Sequence, residues 1–175
     1  IREIALAMPG SSQYRYPTLI PIEALKRCRY FESFPHMVMF ATRLHNDIDT
    51  CRAFAKESGS RDDVEAFALS YCQGSDYCLP PTQCYHTYHH LRGTRQDRNR
   101  VITSKGKSFR YESRYHRTLE RLWDYTTREI VFIGERDFVV ESRERFMEST
   151  FSFVEQLGLS GHTEVANDPF FAIPN

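Results

Sequence analysis

Ser108-Phe109-Arg110-Tyr111-Glu112 is followed, across a short polar loop, by Arg121-Leu122-Trp123-Asp124-Tyr125 and then by Arg128-Glu129-Ile130-Val131-Phe132-Ile133-Gly134. In an extended chain, side chains two apart share a face. Arg110 and Glu112 therefore point the same way, and so do Tyr125, Thr127 and Glu129. The second run is dense in β-branched and aromatic types, the signature of a strand. The spacing predicts a hairpin of strands over 107–113 and 124–133, one face of which gathers a guanidinium, carboxylates and an aromatic ring.

Working outward, 83–90 reads as a third strand, and the polar, basic stretch 92–107, with Gly93 and Gly106, reads as a mobile loop. The opening through Pro17 and Pro21 reads as extended chain, because proline keeps the residue before it out of helical geometry. A short helix is expected from Ile22 to about Tyr30, with Pro21 suited to its first turn. Apolar residues at 37, 40, 41, 44, 48, 51 and 54 predict a helix over 37–57. Asp62 is placed to cap a third over 63–71. A long helix over 138–157 ends at Gly158 and Gly161. Helices flanking an antiparallel sheet make an α+β fold.

At 175 residues the chain suits one domain, long enough to bury roughly 70% of its unfolded surface. Basic and acidic side chains balance at 23 each, so no overall positive field favours non-specific nucleic-acid binding. No apolar run has membrane-spanning length, and no signal-peptide pattern is present. The five cysteines, at 28, 51, 72, 78 and 84, are odd in number and lack C-x-x-C spacing. That is a poor disulfide framework and fits a reducing, cytoplasmic setting.

If 83–90 is a strand, Cys84 shares its face with His86 and His90. A Cys and a Glu from adjacent strands, here Cys84 and Glu129, make a three-ligand zinc site once a further donor joins, with a position open for a substrate amino group. A rival cage is local: Cys84 with His86, His89 and His90. In a third reading Cys84 is a small buried hydrophobe and Glu129 pairs with Arg128 or Arg110. Gly106-Lys107-Ser108 looks like the end of a P-loop, but position 101, where that motif needs glycine, holds Val101.

The order Phe-Arg-x-Glu, loop, Arg, three residues, aromatic resembles motif 2 of the class II aminoacyl-tRNA synthetases. The resemblance implies that Arg110 grips the ATP α-phosphate and that Glu112 accepts a hydrogen bond from the adenine or the incoming amino group. It also implies that Arg121 closes over the terminal phosphates, that Leu122 joins it at the nucleotide, and that Tyr125 stacks on the purine. Arg-Glu-Ile-Val-Phe-Ile-Gly around Glu129, Tyr30-Phe31-Glu32-Ser33-Phe34-Pro35 and Asp168-Pro169-Phe170-Phe171 resemble the atypical archaeal seryl-tRNA synthetases and the related bacterial amino acid:[carrier protein] ligases. By that resemblance Cys84 and Glu129 are zinc ligands, joined by a later cysteine that this chain lacks. Glu129 would then meet the substrate through the metal.

Motif 3 is also absent, and no G-x-G occurs. The expectation is a single partial catalytic domain over 1–175, truncated before motif 3, with motif 1 near 16–35 and motif 2 near 108–134. The expected cofactors are Zn2+, ATP and Mg2+. The expected reaction is ATP-dependent activation of a small amino acid, with transfer to the phosphopantetheine thiol of an acyl carrier protein by a homodimer; tRNA is not an expected partner. The alternatives are a seryl-tRNA synthetase-like ligase and a non-catalytic paralogue.

Overall fold

Residues 1–112 and 121–165 are described by the computed structural model. The chain opens with helix α1 (Arg2–Ala7), strand β1 (Ser11–Tyr14) and the two-residue strand β2 (Ile20–Pro21). Helices α2 (Ile22–Arg27) and α3 (Tyr30–Ser33) follow, then a 3-10 turn at Pro35–Met37 and strand β3 (Phe40–Leu44). Next come helices α4 (Ile48–Ser58) and α5 (Val64–Ser70), strand β4 (Cys72–Cys78) and helix α6 (Cys84–His90). The long strands β5 (Arg100–Phe109) and β6 (Asp124–Ile133) lead to helix α7 (Arg136–Gln156).

The hairpin predicted from alternation is the main ladder. β5 and β6 pair antiparallel without interruption from Arg100 opposite Ile133 to Phe109 opposite Asp124. β1 runs parallel along the other edge of β5, and a second, antiparallel sheet has the order β2-β4-β3. The period of two gives the first sheet two different faces. On one, Ser104, Gly106 and Ser108 stand opposite Glu129, Thr127 and Tyr125. On the other, Val101 stands opposite Phe132, and α7 packs there through the Phe132 and Phe146 rings, 6.5 Å apart.

The core lies over the first face. Ile20, Ala24, Leu25, Tyr30, Cys78, Cys84 and Tyr85 form one buried cluster, with Val131 of β6 packed against it. Burying each large aliphatic side chain here contributes about 1.5–3 kcal/mol, which fixes α2 and α6 over the sheet. Gly106 lets the connection to α6 come close. A Cβ there would lie 2.6 Å from the Gln83 side-chain Cδ, and that side chain donates from Nε2 to the Lys107 carbonyl at 2.7 Å.

Four expectations need correction. Residues 83–90 are a helix, α6, not a strand. Cys84, Tyr85, His86 and Thr87 are all buried in succession, which an alternating half-exposed strand does not allow. The span 37–57 is not one helix: 40–44 form β3, because pairing with β4 outweighs an apolar spacing that short runs share with helices. The helix restarts where the Asp47 carboxylate accepts the Thr50 N–H at 2.7 Å, an N-cap. Much of the expected 92–107 loop is β5, and the expected extended opening contains α1.

The long C-terminal helix stands nearly as predicted. Its end is a Schellman motif: Gly158 at φ +70° donates to the Glu155 carbonyl and Leu159 to the Val154 carbonyl. Among the described residues, no helix is long and apolar enough to cross a membrane. Asp168-Pro169-Phe170-Phe171 lies outside the described residues.

Candidate functional site

Alternation along β6 puts Tyr125, Thr127 and Glu129 on the face covered by the Leu79–Cys84 segment, and each is tied down there. Tyr125 donates from its hydroxyl to the Pro81 carbonyl at 3.2 Å. Thr127 and Ser108 share a hydroxyl hydrogen bond at 2.9 Å. Arg110 lies just past the end of β5, but the ladder geometry continues, its N–H donating to the Trp123 carbonyl at 3.0 Å. Its Nε donates to the same Pro81 carbonyl at 3.1 Å, and its Cζ stands 5.7 Å from the Tyr125 ring centre. Arg110 and Tyr125 thus share one anchor. Glu112 is half-buried; burial first, and then the charges of Glu129 and Glu112, raise the Tyr125 phenol against the opposing Arg110 charge.

Glu129 is the most engaged side chain of the group. Its carboxylate accepts the Gln83 N–H at 3.0 Å, the Cys84 N–H at 2.7 Å and the Thr82 hydroxyl at 2.9 Å. Those donors open α6, whose first N–H groups have no partner within the helix. An anion there also meets the positive end of the helix dipole. Cys84 follows directly, its sulfur 3.0 Å from the Thr82 hydroxyl oxygen. Burial, and then the neighbouring Glu129 charge, pushes the Cys84 thiol up to about 12.

The local histidine cage does not form among the described residues, the three histidines packing on rings and on Arg92 instead. The His86 ring stacks on Tyr16 at 5.4 Å, the His90 ring meets Tyr14 at 5.2 Å, and His89 contacts Arg92. Burial lowers His86 to about 4, so the ring stays neutral. Arg121 and Leu122 are exposed, and among the described residues neither makes a hydrogen bond or ion pair with Arg110, Glu112, Tyr125 or Glu129. The connection 113–120 lies outside the described residues.

No protein-family model matches the chain. It is 26% identical over 166 residues to the type-2 serine–tRNA ligase of Methanocaldococcus jannaschii, covering 93% of this chain and 32% of that protein. It is 29% identical over 164 residues to amino acid–[acyl-carrier-protein] ligase 1 of Bradyrhizobium diazoefficiens, covering 93% of this chain and 48% of that protein. Among solved structures it superposes on the seryl-tRNA synthetase of M. kandleri, crystallised with A. aeolicus tRNASec, with a TM-score of 0.80 and 24% identity over 90% of this chain and 31% of that one.

The fold is that of a class II aminoacyl-tRNA synthetase. The chain spans about a third of the tRNA ligases' length and about half of the carrier-protein ligase's. The hairpin carries the residues expected for motif 2, and the structure places them differently. Arg110, Glu112, Tyr125 and Glu129 lie on or beside one face, with Cys84 against Glu129. Arg121 and Leu122 are exposed and make no hydrogen bond or ion pair with that group among the described residues.

The zinc expected for Cys84 and Glu129 can be tested on the donors themselves. The two are adjacent, but Glu129 Oε2 already accepts two hydrogen bonds and Oε1 one, leaving little lone-pair capacity for a metal. No group of three His, Cys, Asp or Glu side chains able to hold a metal occurs among the described residues. Among the described residues no zinc site is complete, and Glu129 caps the start of α6. Sequence reasoning missed Thr82 and Gln83, which complete that cap. Reading 83–90 as a strand hid the helix start, and no local signal marks it, because the capping side chain comes from residue 129.

Proposed function

We propose that this chain is the motif 2-bearing part of a ligase that activates an amino acid with ATP and passes it to the phosphopantetheine thiol of an acyl carrier protein. The observation that carries this reading is the placement of Arg110 and Tyr125 on one anchor, on the same sheet face as Glu129, in a fold whose relatives are ligases. In the reaction, an amino-acid carboxylate oxygen attacks the α-phosphorus of MgATP and pyrophosphate leaves. Both partners are anions, so a positioned cation lowers the barrier as charge gathers on the phosphoryl oxygens. Arg110 can supply it, since Nε alone is engaged by Pro81 and the remaining guanidinium donors can reach two oxygens at once. Tyr125 offers a ring for the purine and Glu112 an acceptor for an amino group. Mg2+ arriving with the nucleotide shields the β- and γ-phosphates, and no step runs through zinc.

A second reading, transfer to tRNA, is favoured by the relatives, several of which are type-2 serine–tRNA ligases. Amino-acid-dependent pyrophosphate–ATP exchange by the full-length protein tests the shared half-reaction; no exchange with any amino acid rejects it. Offering the adenylate a phosphopantetheinylated carrier protein and, separately, tRNA then identifies the acceptor. A cytoplasmic homodimer joined through residues 16–35 belongs to the same proposal, and equilibrium sedimentation checks its stoichiometry.

A further inference from the structure

Tyr30 opens α3 after a sharp reversal. Arg29 before it takes φ +56°, the one positive value at a non-glycine among the described residues, and an ion pair to Glu32 at 2.6 Å holds the turn. The reversal drives the Tyr30 ring inward to 2% exposure, edge-on to Tyr85 at 5.4 Å and against Phe34 at 5.6 Å. Rings alone would serve that packing, and phenylalanine would suffice. Yet a hydroxyl is present, buried, with no hydrogen-bond partner among the described residues. Such groups are rare because each one forfeits its solvation.

The hydroxyl lies within electrostatic reach of the hairpin. After burial, its electrostatic environment is set first by Arg110, then by Tyr125 and Glu112, with Cys78 behind them. A backbone bond joins the two regions independently, the Tyr111 N–H donating to the Met37 carbonyl at 3.1 Å. Arg110 has guanidinium donors beyond Nε, and Glu112 is acceptor-only when ionised, while a phenol can accept and donate together. The three inventories are complementary.

We propose that Tyr30 is a positioning residue: when nucleotide binds, its hydroxyl accepts from the Arg110 guanidinium and donates to the Glu112 carboxylate, fixing the groups that meet phosphate and base. This deepens the proposed function and rests on it. Tyr30 touches no substrate; it acts through its two neighbours.

The test is Tyr30→Phe in the full-length protein, read by calorimetric titration with ATP, by exchange kinetics and by thermal melting. Loss of a hydrogen bond to a charged group weakens ATP binding about tenfold and raises the ATP KM, leaving the amino-acid KM alone. The melting temperature holds or rises, because an unpartnered polar group has been removed from the unliganded core. In a double-mutant cycle the effect shrinks in the Glu112→Ala background, where only the bond to Arg110 is left to lose. Equal ATP affinity in wild type and variant overturns the inference while leaving the ligase reading intact. A lower melting temperature with unchanged affinity does the same, since the hydroxyl would then be structural. A wild-type protein that binds no ATP overturns both together.

Discussion

Replacing Glu129 by alanine removes one carboxylate and strands three donors. The Gln83 and Cys84 N–H groups and the Thr82 hydroxyl all end on it, and the residues that own them are only 3%, 7% and 3% exposed respectively. A buried donor left without a partner costs about 1–3 kcal/mol. The Thr82 hydroxyl can turn to the Cys84 sulfur, which is 3.0 Å away, and the Cys84 N–H keeps a longer bond to the Thr82 hydroxyl oxygen at 3.3 Å, so the loss falls fully on the Gln83 N–H and partly on that of Cys84. The expected destabilisation is about 2–4 kcal/mol, a large part of the roughly 5–15 kcal/mol that holds most domains folded. Urea unfolding of the full-length protein measures it, and hydrogen exchange at the Gln83 and Cys84 amides locates it. Glu129→Gln should cost less, since its amide oxygen keeps one acceptor position. The decisive control is a chelator. A cap acts without metal, so the deficit must persist in chelator-treated protein. A Glu129→Ala cost below about 1 kcal/mol, or one that vanishes once metal is stripped from both proteins, refutes the capping argument.

Three further outcomes follow from the same geometry. Gly106→Ala pushes a Cβ into the Gln83 side chain and should cost about 1–3 kcal/mol as an overpacked contact, measured by denaturation; a neutral effect would show that the approach of α6 to β5 is loose. Arg110→Ala should lower pyrophosphate exchange by about 10²–10³-fold with little change in melting temperature, because among the described residues its side chain makes a single hydrogen bond, to Pro81; near-normal exchange removes it from the reaction. Timed alkylation at pH 8 should modify exposed Cys51 first and Cys78 and Cys84 last, the latter two both buried and held to about 11 and about 12. Early labelling of Cys84 by mass spectrometry would mean that the cap around it opens readily.

What the sequence made legible here was local, and what it hid was not. Alternation is a property of a single run, so 124–133 announced its own face, and Arg110, Tyr125 and Glu129 fell on one side as parity required. Helix α7 likewise carries its own apolar stripe and its glycine stop. Residues 83–90 failed because eight residues rich in Tyr, His and Thr satisfy a strand template, while the feature that makes them a helix stands 45 residues from Cys84 in Glu129. The same failure explains the two roles assigned to that glutamate. Pairing Cys84 with Glu129 was right about adjacency, since both spatial neighbours were identified from sequence order and resemblance. It did not foresee the cap, because a carboxylate beside a strand is free to bind a metal, whereas a carboxylate at a helix start also meets backbone N–H groups. Any metal brought to Cys84 by a donor from outside residues 1–112 and 121–165 must therefore compete with the first turn of α6, and the exchange rate of the Cys84 amide, slow with the cap closed and faster when Glu129 turns away, reports which partner holds the carboxylate.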